Sequence, residues 1–493
     1  MRGFTPRSVS GAVLLGLVML LTLGGLTWLV VDITRFNGAA TRNAATDRAL
    51  AEAKEALLGY AAAYPELHLK AGRAVFVPGH LPCPDMGSPL GLEGTESGVC
   101  GAEGVTVVGH FPWRSLGVPP PRDGYGECLW YAVSGHYKAN PKARLLNPDI
   151  PGQFEIVDEQ DRIIGAAAER PVAVLFAPGP PLSGQERADA GGECRWNYDA
   201  RHFLDMLGGV NNAVPNTDPE GVTRLAAGRE SAEFNDRLLW IHRAEVFARV
   251  AQRQPLEDLF DAHFGETGFP GRAALAQRVA ACLARFGARN AWRRLPWAAP
   301  LALAENPPLT FQNDAFADRQ DLLAGRPPFL VTRSQARLAS TLGTLPTCAS
   351  GNTACRLLRS DNCPELAAVD GGNTANGKDG WFDKWKDHLF YLVAPGFAPA
   401  EAPAADCSTT PEACIEVEGR TYAAAVIFAG APQAGQERDT NIDRMNATRY
   451  LEGENALTVQ NGGRRLEVTG NDRIVCLEAN ADGFTLVNDC GAP

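Results

Sequence analysis

The sequence predicts an α+β chain with a long N-terminal membrane-spanning helix followed by two tandem modules. Each module is expected to be a helix packed on an antiparallel sheet with disulfide-stapled loops. Three observations predict this: an uncharged apolar run near the N-terminus, five sequence blocks that recur in order, and twelve cysteines that all follow the apolar run. The first sets the frame. Ala12 to Val31 carries no charge over about 20 residues, and as a helix it measures roughly 30 Å, the thickness of a hydrocarbon core. The leader before it holds Arg2 and Arg7 with no acid, so the positive-inside rule keeps residues 1–11 in the cytoplasm and exports the rest. The expected localisation is therefore a single pass in the inner membrane, with the C-terminal heads in the periplasm.

The bulk numbers agree with a folded, exported protein. The chain has 493 residues, 45% hydrophobic and 21% charged, as in globular proteins. Its net charge of −11 excludes a general nucleic-acid binder, which wants a basic surface. None of the cysteines forms a C-x-x-C pair, so disulfides are expected rather than a zinc ribbon or a thioredoxin motif.

The apolar run continues into an Ala-rich stretch. There Leu50, Ala53, Leu57, Leu58 and Ala61 fall on one helical face, and Glu52 and Lys54 fall on the solvent side. Pro65 is expected to stop the helix, so that 12–64 forms one rod of roughly 80 Å, with a kink at Asn37-Gly38. Beyond it come Leu81-Pro82-Cys83-Pro84-Asp85, then Phe111-Pro112-Trp113, then Asp123-Gly-Tyr-Gly-Glu-Cys-Leu-Trp-Tyr131.

Over residues 1 to about 135, this leader, rod and loop series resembles type IV pilins and type II secretion pseudopilins. The resemblance implies cleavage by a prepilin peptidase. Gly11-Ala12 is the better candidate bond, because Pro6-Arg7-Ser8 interrupts the run that would have to follow Gly3. The fifth residue from Ala12 is Gly16 rather than the glutamate of major pilins, a departure that points to a minor or tip subunit. The implied partners are the inner membrane, other pilin or pseudopilin subunits and the peptidase.

The repeat organises the remainder. Ala49–Leu58 is echoed by Ala274–Leu283, Leu81-Pro82 by Leu295-Pro296, and Asp123–Val133 by Asp383–Val393. Val172–Ala177 with Gly184-Gln-Glu-Arg187 is echoed by Ala424–Ala429 with Gly435-Gln-Glu-Arg438, and Asn235–Leu239 by Asn471–Val475. The expected division is a first head over 65–265 and a second over 266–493, with a hinge at 265–271. Each copy holds an even number of cysteines. Short separations favour Cys83–Cys100, Cys407–Cys414 and Cys476–Cys490, although spacing leaves the full connectivity open.

Catalytic patterns are scarce, and no enzyme is expected. H-E-x-x-H and G-x-S-x-G are absent, and Gly372–Lys378 imitates a phosphate loop but is followed by Asp379 where Ser or Thr is needed. One candidate ligand set remains: Asp370, Asn373, Asp379 and Asp383, oxygen-rich and interleaved with glycines, as a possible Ca2+ loop. The GQER segments read as loop closures through a local ion pair and amide hydrogen bonds. The functional expectation is a membrane-anchored minor pilin or pseudopilin subunit. The alternative is a signal-anchored periplasmic ligand-binding or enzymatic ectodomain.

Overall fold

The structure, a computed structural model, describes residues 10–68, 77–89, 91–166, 169–187, 194, 197–218, 221–253, 271–303, 311–333, 343, 345, 348, 354–359, 361–367, 380–488 and 490–491. For 10–37, Met19 and Thr22 apart, and for 271–274 it describes the backbone alone.

A single helix, α1 (Ser10–Leu67), runs without a break across Asn37-Gly38 and ends past Pro65. Pro65 has no N–H to give the carbonyl of Ala61, and the N–H of Gly79 takes that acceptor at 2.9 Å, which lets the helix tolerate a proline in its last turn. The predicted apolar face is buried: Leu50, Ala53, Leu57, Leu58 and Ala61 are each at most 4% exposed. Burying each of the three leucines stabilises the docked helix by about 1.5–3 kcal/mol.

The expected membrane span, and with it the single-pass inner-membrane localisation, requires correction. Among the described residues no helix is long and apolar enough to cross a membrane. The described side chains of α1 include Arg42, Asp47, Arg48, Glu52, Lys54, Glu55 and Glu66, and hydrocarbon rejects such a density of charge. The side chains of Ala12–Val31, Met19 and Thr22 apart, lie outside those described.

The sheets follow in chain order. β1 (Val107–His110), β2 (Trp130–Val133), β3 (Phe154–Val157), β4 (Ala173–Ala177), β5 (Met206–Leu207), β6 (Val210–Asn211), β7 (Thr223–Ala226) and β8 (Arg237–Ile241) belong to the first half. After α2 (Arg243–Arg253) and α3 (Gly271–Ala288) come β9 (Ala324–Gly325), β10 (Leu330–Thr332) and β11 (Ala354–Arg356). A short helix α4 (Trp381–Trp385) precedes β12 (Leu389–Val393), β13 (Ile415–Val417), β14 (Arg420–Tyr422) and β15 (Ala424–Phe428). After α5 (Gly453–Asn461), the chain closes with β16 (Arg465–Leu466), β17 (Arg473–Asn480) and β18 (Gly483–Val487).

Two antiparallel sheets dominate, ordered β1-β2-β4-β8 and β9-β12-β15-β17-β18. They share one register. Tyr131 faces Leu175 as Tyr391 faces Val426, and Ala173 faces Ile241 as Ala424 faces Leu477. The tyrosines even end alike, the Tyr131 hydroxyl donating to Pro82 O and the Tyr391 hydroxyl to Pro296 O. This register aligns Ala173, not Val172, with Ala424. The pairing read from sequence slips by one residue because Phe176 and Phe428 coincide in type but not in place.

The first sheet buries both faces. Tyr131, Val133, Ala173 and Leu175 meet the core that includes α1, while Trp130, Ala132, Val174 and Phe176 meet Phe154, Phe203 and Leu225. Burial on both sides explains why these strands read as unbroken apolar runs. The fold class is corrected here as well: the chain is mixed α/β with several small sheets. Alongside the two main sheets stand a parallel pair, β3 with β7, and a three-stranded sheet in which β13 pairs parallel with β16. The cause is visible in the long connections on either side of β4 and of β15: the segment β3 before β4 pairs with β7 after it, and β13 before β15 pairs with β16 after it, instead of extending the main sheet. Six disulfides close the loops: Cys83–Cys100, Cys128–Cys194, Cys282–Cys363, Cys348–Cys355, Cys407–Cys414 and Cys476–Cys490.

Candidate functional site

The most distinctive feature of the molecule is the joint where α1 leaves the head. Ala40–Ala45 are exposed, as are Met19 and Thr22, and among the described side chains of the helix the first buried one is Thr46. The Asp123-Gly-Tyr-Gly126 loop forms one side of a collar around this point. The Gly124 N–H donates to Thr46 Oγ1 at 2.9 Å, and the Tyr125 ring lies 5.1 Å from the Arg42 guanidinium. A Cβ on Gly124 would stand 2.1 Å from the Arg42 carbonyl oxygen, so only glycine allows this approach. Asp123 fixes the loop by accepting from the N–H groups of Tyr125, Glu127 and Gly179. Opposite, Arg237 pairs with Asp47 at 2.6 Å. Further along, α2 packs on α1 through ion pairs from Lys54 to Glu245 and from Arg249 to Glu55. Lys54, expected to face solvent, is thus turned toward α2 and also donates to Trp240 O.

A cavity of about 410 Å3 opens beside this joint, lined by Asp47, Leu50, Asp158, Glu159, Arg229, Asp236 and Trp240 among others. Asp236 forms a buried carboxyl pair with Asp205. Asp236 Oδ2 accepts from the Asp205 N–H at 2.8 Å, and Asp205 Oδ2 accepts from the Asn235 N–H at 2.7 Å. Burial, and then the charge of Asp205, push the Asp236 carboxyl well above the usual range. The second copy repeats the device: burial and the charge of Glu452 raise Asp472. The motif that reveals it in the sequence is Asn-Asp-Arg, at 235–237 and 471–473.

The GQER loops are also built twice. Gln185 Oε1 accepts from the Leu182 N–H and Gln436 Oε1 from the Gln433 N–H, both at 2.9 Å. Arg187 donates to the carbonyls of Gly179, His202 and Phe203; Arg438 donates to those of Gly430, Arg449 and Tyr450. The amide closure is as expected, but the ion pair is not local. Arg187 faces Glu127 at 3.5 Å, whereas Arg438 meets Asp149 at 2.9 Å, a residue of the first half.

Asp149 anchors a buried junction between the halves. His388 Nε2 lies 3.2 Å from its Oδ2, and Arg243 spans from its backbone carbonyl to Asp439. Nearby, Asn147 donates to Asp387 and to the carbonyl of Lys384. Burial alone would raise the Asp149 carboxyl, but His388 and Arg438 together hold it well below the carboxylate range.

Of the expected ligand residues, Asp370, Asn373 and Asp379 lie outside the described residues, as do the 372–378 loop and nearly all of the 265–271 hinge. Asp383 is buried on α4, where its carboxylate accepts from Asn313 Nδ2 at 2.7 Å and from the Gly380 N–H at 3.3 Å. Gly11 and Ala12 sit in the first turns of α1, with their side chains outside those described. Among the described residues, one cluster has metal-ligand character, Cys282, Cys363 and Glu365, and its two cysteines are bonded to each other. No family model, no curated protein and no solved structure matches this chain.

Proposed function

We propose that the chain is a non-enzymatic, pilin-like assembly subunit, a minor or tip subunit of a type IV pilus or a type II secretion pseudopilus. The observation that carries this reading is α1: one helix of 58 residues in which, among the described side chains, Met19, Thr22 and Ala40–Ala45 are exposed and burial begins at Thr46. From Ser10 to Ala45 the helix runs roughly 54 Å at about 1.5 Å per residue. Its sequence there is apolar from Ala12 to Val31, the composition with which helices pack against one another. The collar at Gly124 and Arg237 holds this rod in a fixed direction relative to the head. Each head is stapled by its own disulfides, and the Asp149 junction ties the two together, which suits a part that carries load.

In this reading a prepilin peptidase removes the leader, and the rod then joins the helices of other pilin-like subunits. The expected outcome is a mature protein that begins at Ala12 in cells that hold the peptidase, read by N-terminal sequencing. An intact Met1 N-terminus in those cells contradicts the reading.

A further inference from the structure

The second half fills a strand position that the first half leaves open. In the second sheet β17 carries β18 on its outer edge, where Cys476 faces Val487, and Cys490 Sγ lies 3.5 Å from Ile474 O. The shared register makes Leu238 the counterpart of Ile474 and Trp240 that of Cys476. β8, however, ends its sheet, and no strand among the described residues pairs with its outer edge. Trp240 O lies on that edge, where it accepts from Lys54 Nζ at 3.1 Å, so strand alternation puts the N–H and carbonyl of Leu238 there too. Ile474, Val475 and Cys476 are buried, whereas Leu238, Leu239 and Trp240 are only half-buried. The cavity of about 410 Å3 opens on this edge, walled by Leu50 of α1 and by Ala227, which follows β7.

The lining suits a cation on an apolar stem. Asp47 is taken by Arg237 and Asp158 by Arg162, which leaves the carboxyls of Glu159 and Asp236 against Arg229. Asp236 is 3% exposed. Its Oδ2 accepts from the Asp205 N–H and from Asn212 Nδ2, but its Oδ1 has no hydrogen-bond partner. By alternation the Asp236 side chain shares a face with Leu238 and Trp240, and all three line the cavity. A buried acceptor without a donor costs stability, and a donor delivered from outside recovers it. Among the described residues these carboxylates do not gather in threes as metal ligands do. A lysine or arginine fits instead, with its stem on Leu238 and Trp240 and its charge between the carboxylates. We propose that the cavity docks an extended segment of a partner protein, which pairs with the β8 edge at Leu238 and sends a lysine or arginine to Asp236 Oδ1. The site lies on the head and serves whether or not α1 assembles.

The test is fluorescence anisotropy of a labelled short peptide, a central arginine flanked by valines and threonines, titrated with the full chain. The expected result is saturable binding below about 1 mM, weakened about tenfold when citrulline replaces the arginine. N-methylation of one alternate set of peptide amides is expected to abolish binding while methylation of the other set spares it, because only one edge of the segment meets β8. Glu159→Gln and Asp236→Asn are each expected to weaken binding about tenfold. Glu159 is exposed at the rim, so its variant keeps the fold even where Asp236→Asn does not. No binding up to about 1 mM overturns the proposal. So do equal binding of the arginine and citrulline peptides, equal effects of the two methylation sets, or unchanged binding by Glu159→Gln.

Discussion

The two halves of the molecule carry the same sheet, the same tyrosine anchor and the same arginine latch, yet they use the latch differently. In the first half Arg187 finds Glu127 within its own module, at 3.5 Å and with that glutamate partly in water. In the second half Arg438 reaches Asp149 of the other module, with Arg438 1% and Asp149 7% exposed. The Glu127 counterpart, Asp387, is turned to Asn147 of the first half and to the Tyr450 hydroxyl. Where the first half seals this corner with Cys128–Cys194, the second places His388 against Asp149. One copy closes on itself, and the other is completed by its neighbour. A duplicated scaffold therefore gains an internal interface by exchanging the partner of one buried arginine.

That comparison breaks most sharply at Asp149. Asp149→Ala leaves Arg438 buried without its carboxylate and is expected to cost about 3–5 kcal/mol in denaturant unfolding. Glu127→Ala leaves Arg187 its carbonyl partners at a wetter site and is expected to cost about 1 kcal/mol. Equal costs would mean that the two latches are equivalent after all.

A second contrast lies at the sheet edge, where Gly109 and Gly325 occupy the same position. The next residues bridge back to Asp85 and to Ala299 respectively. An added Cβ would stand 2.8 Å from the Asp85 carbonyl oxygen in the first case and 2.1 Å from the Ala299 carbonyl oxygen in the second. Gly325→Ala is therefore expected to cost about 3 kcal/mol and Gly109→Ala about 1–2 kcal/mol, because backbone must shift in both. The melting temperatures of the two variants check the order.

The smallest expected difference concerns pH. Asp236 and Asp472 are both raised by burial and by a neighbouring carboxyl, so the folded protein holds their protons above the ordinary carboxylate range. Their contribution is full below the unfolded carboxylate value and is lost as pH rises through the higher folded value. Stability is thus expected to fall as pH climbs from about 4 toward and beyond neutrality. Asp236→Asn and Asp472→Asn are each expected to flatten that slope to a similar degree, measured by unfolding across pH.

Much of this was legible in the residues, but unevenly. The apolar face from Leu50 to Ala61 follows from helical spacing, and the blocks around Tyr131, Tyr391, Gln185 and Gln436 recur because both copies need the same anchors. The register slipped by one at Val172 because a strand of small and β-branched residues fits either alignment, and only hydrogen bonding decides. The Asp149–Arg438 pair was invisible because it joins residues 289 apart and has no counterpart in the other copy. Gly124 stands within the recurring Asp123–Val133 block, but its role depends on a close approach to α1 that spacing does not encode. The membrane span expected from the apolar run does not stand, because among the described residues no helix is long and apolar enough to cross a membrane. Of the pairs, Cys83–Cys100, Cys407–Cys414 and Cys476–Cys490 are those that short separation favours; Cys348–Cys355, no further apart, is not among the expected ones, and Cys128–Cys194 and Cys282–Cys363 close long loops that only the fold brings together.

The central claim is that the part of α1 ahead of the collar is an assembly surface, and site-specific photo-crosslinking in producing cells tests it most directly. A photoreactive residue at Ala40 or Ala44, both exposed ahead of the collar, is expected to capture helices of other subunits, while one at the exposed Leu457 of the second half is not. Capture at Leu457 with none at Ala40 or Ala44 would contradict it.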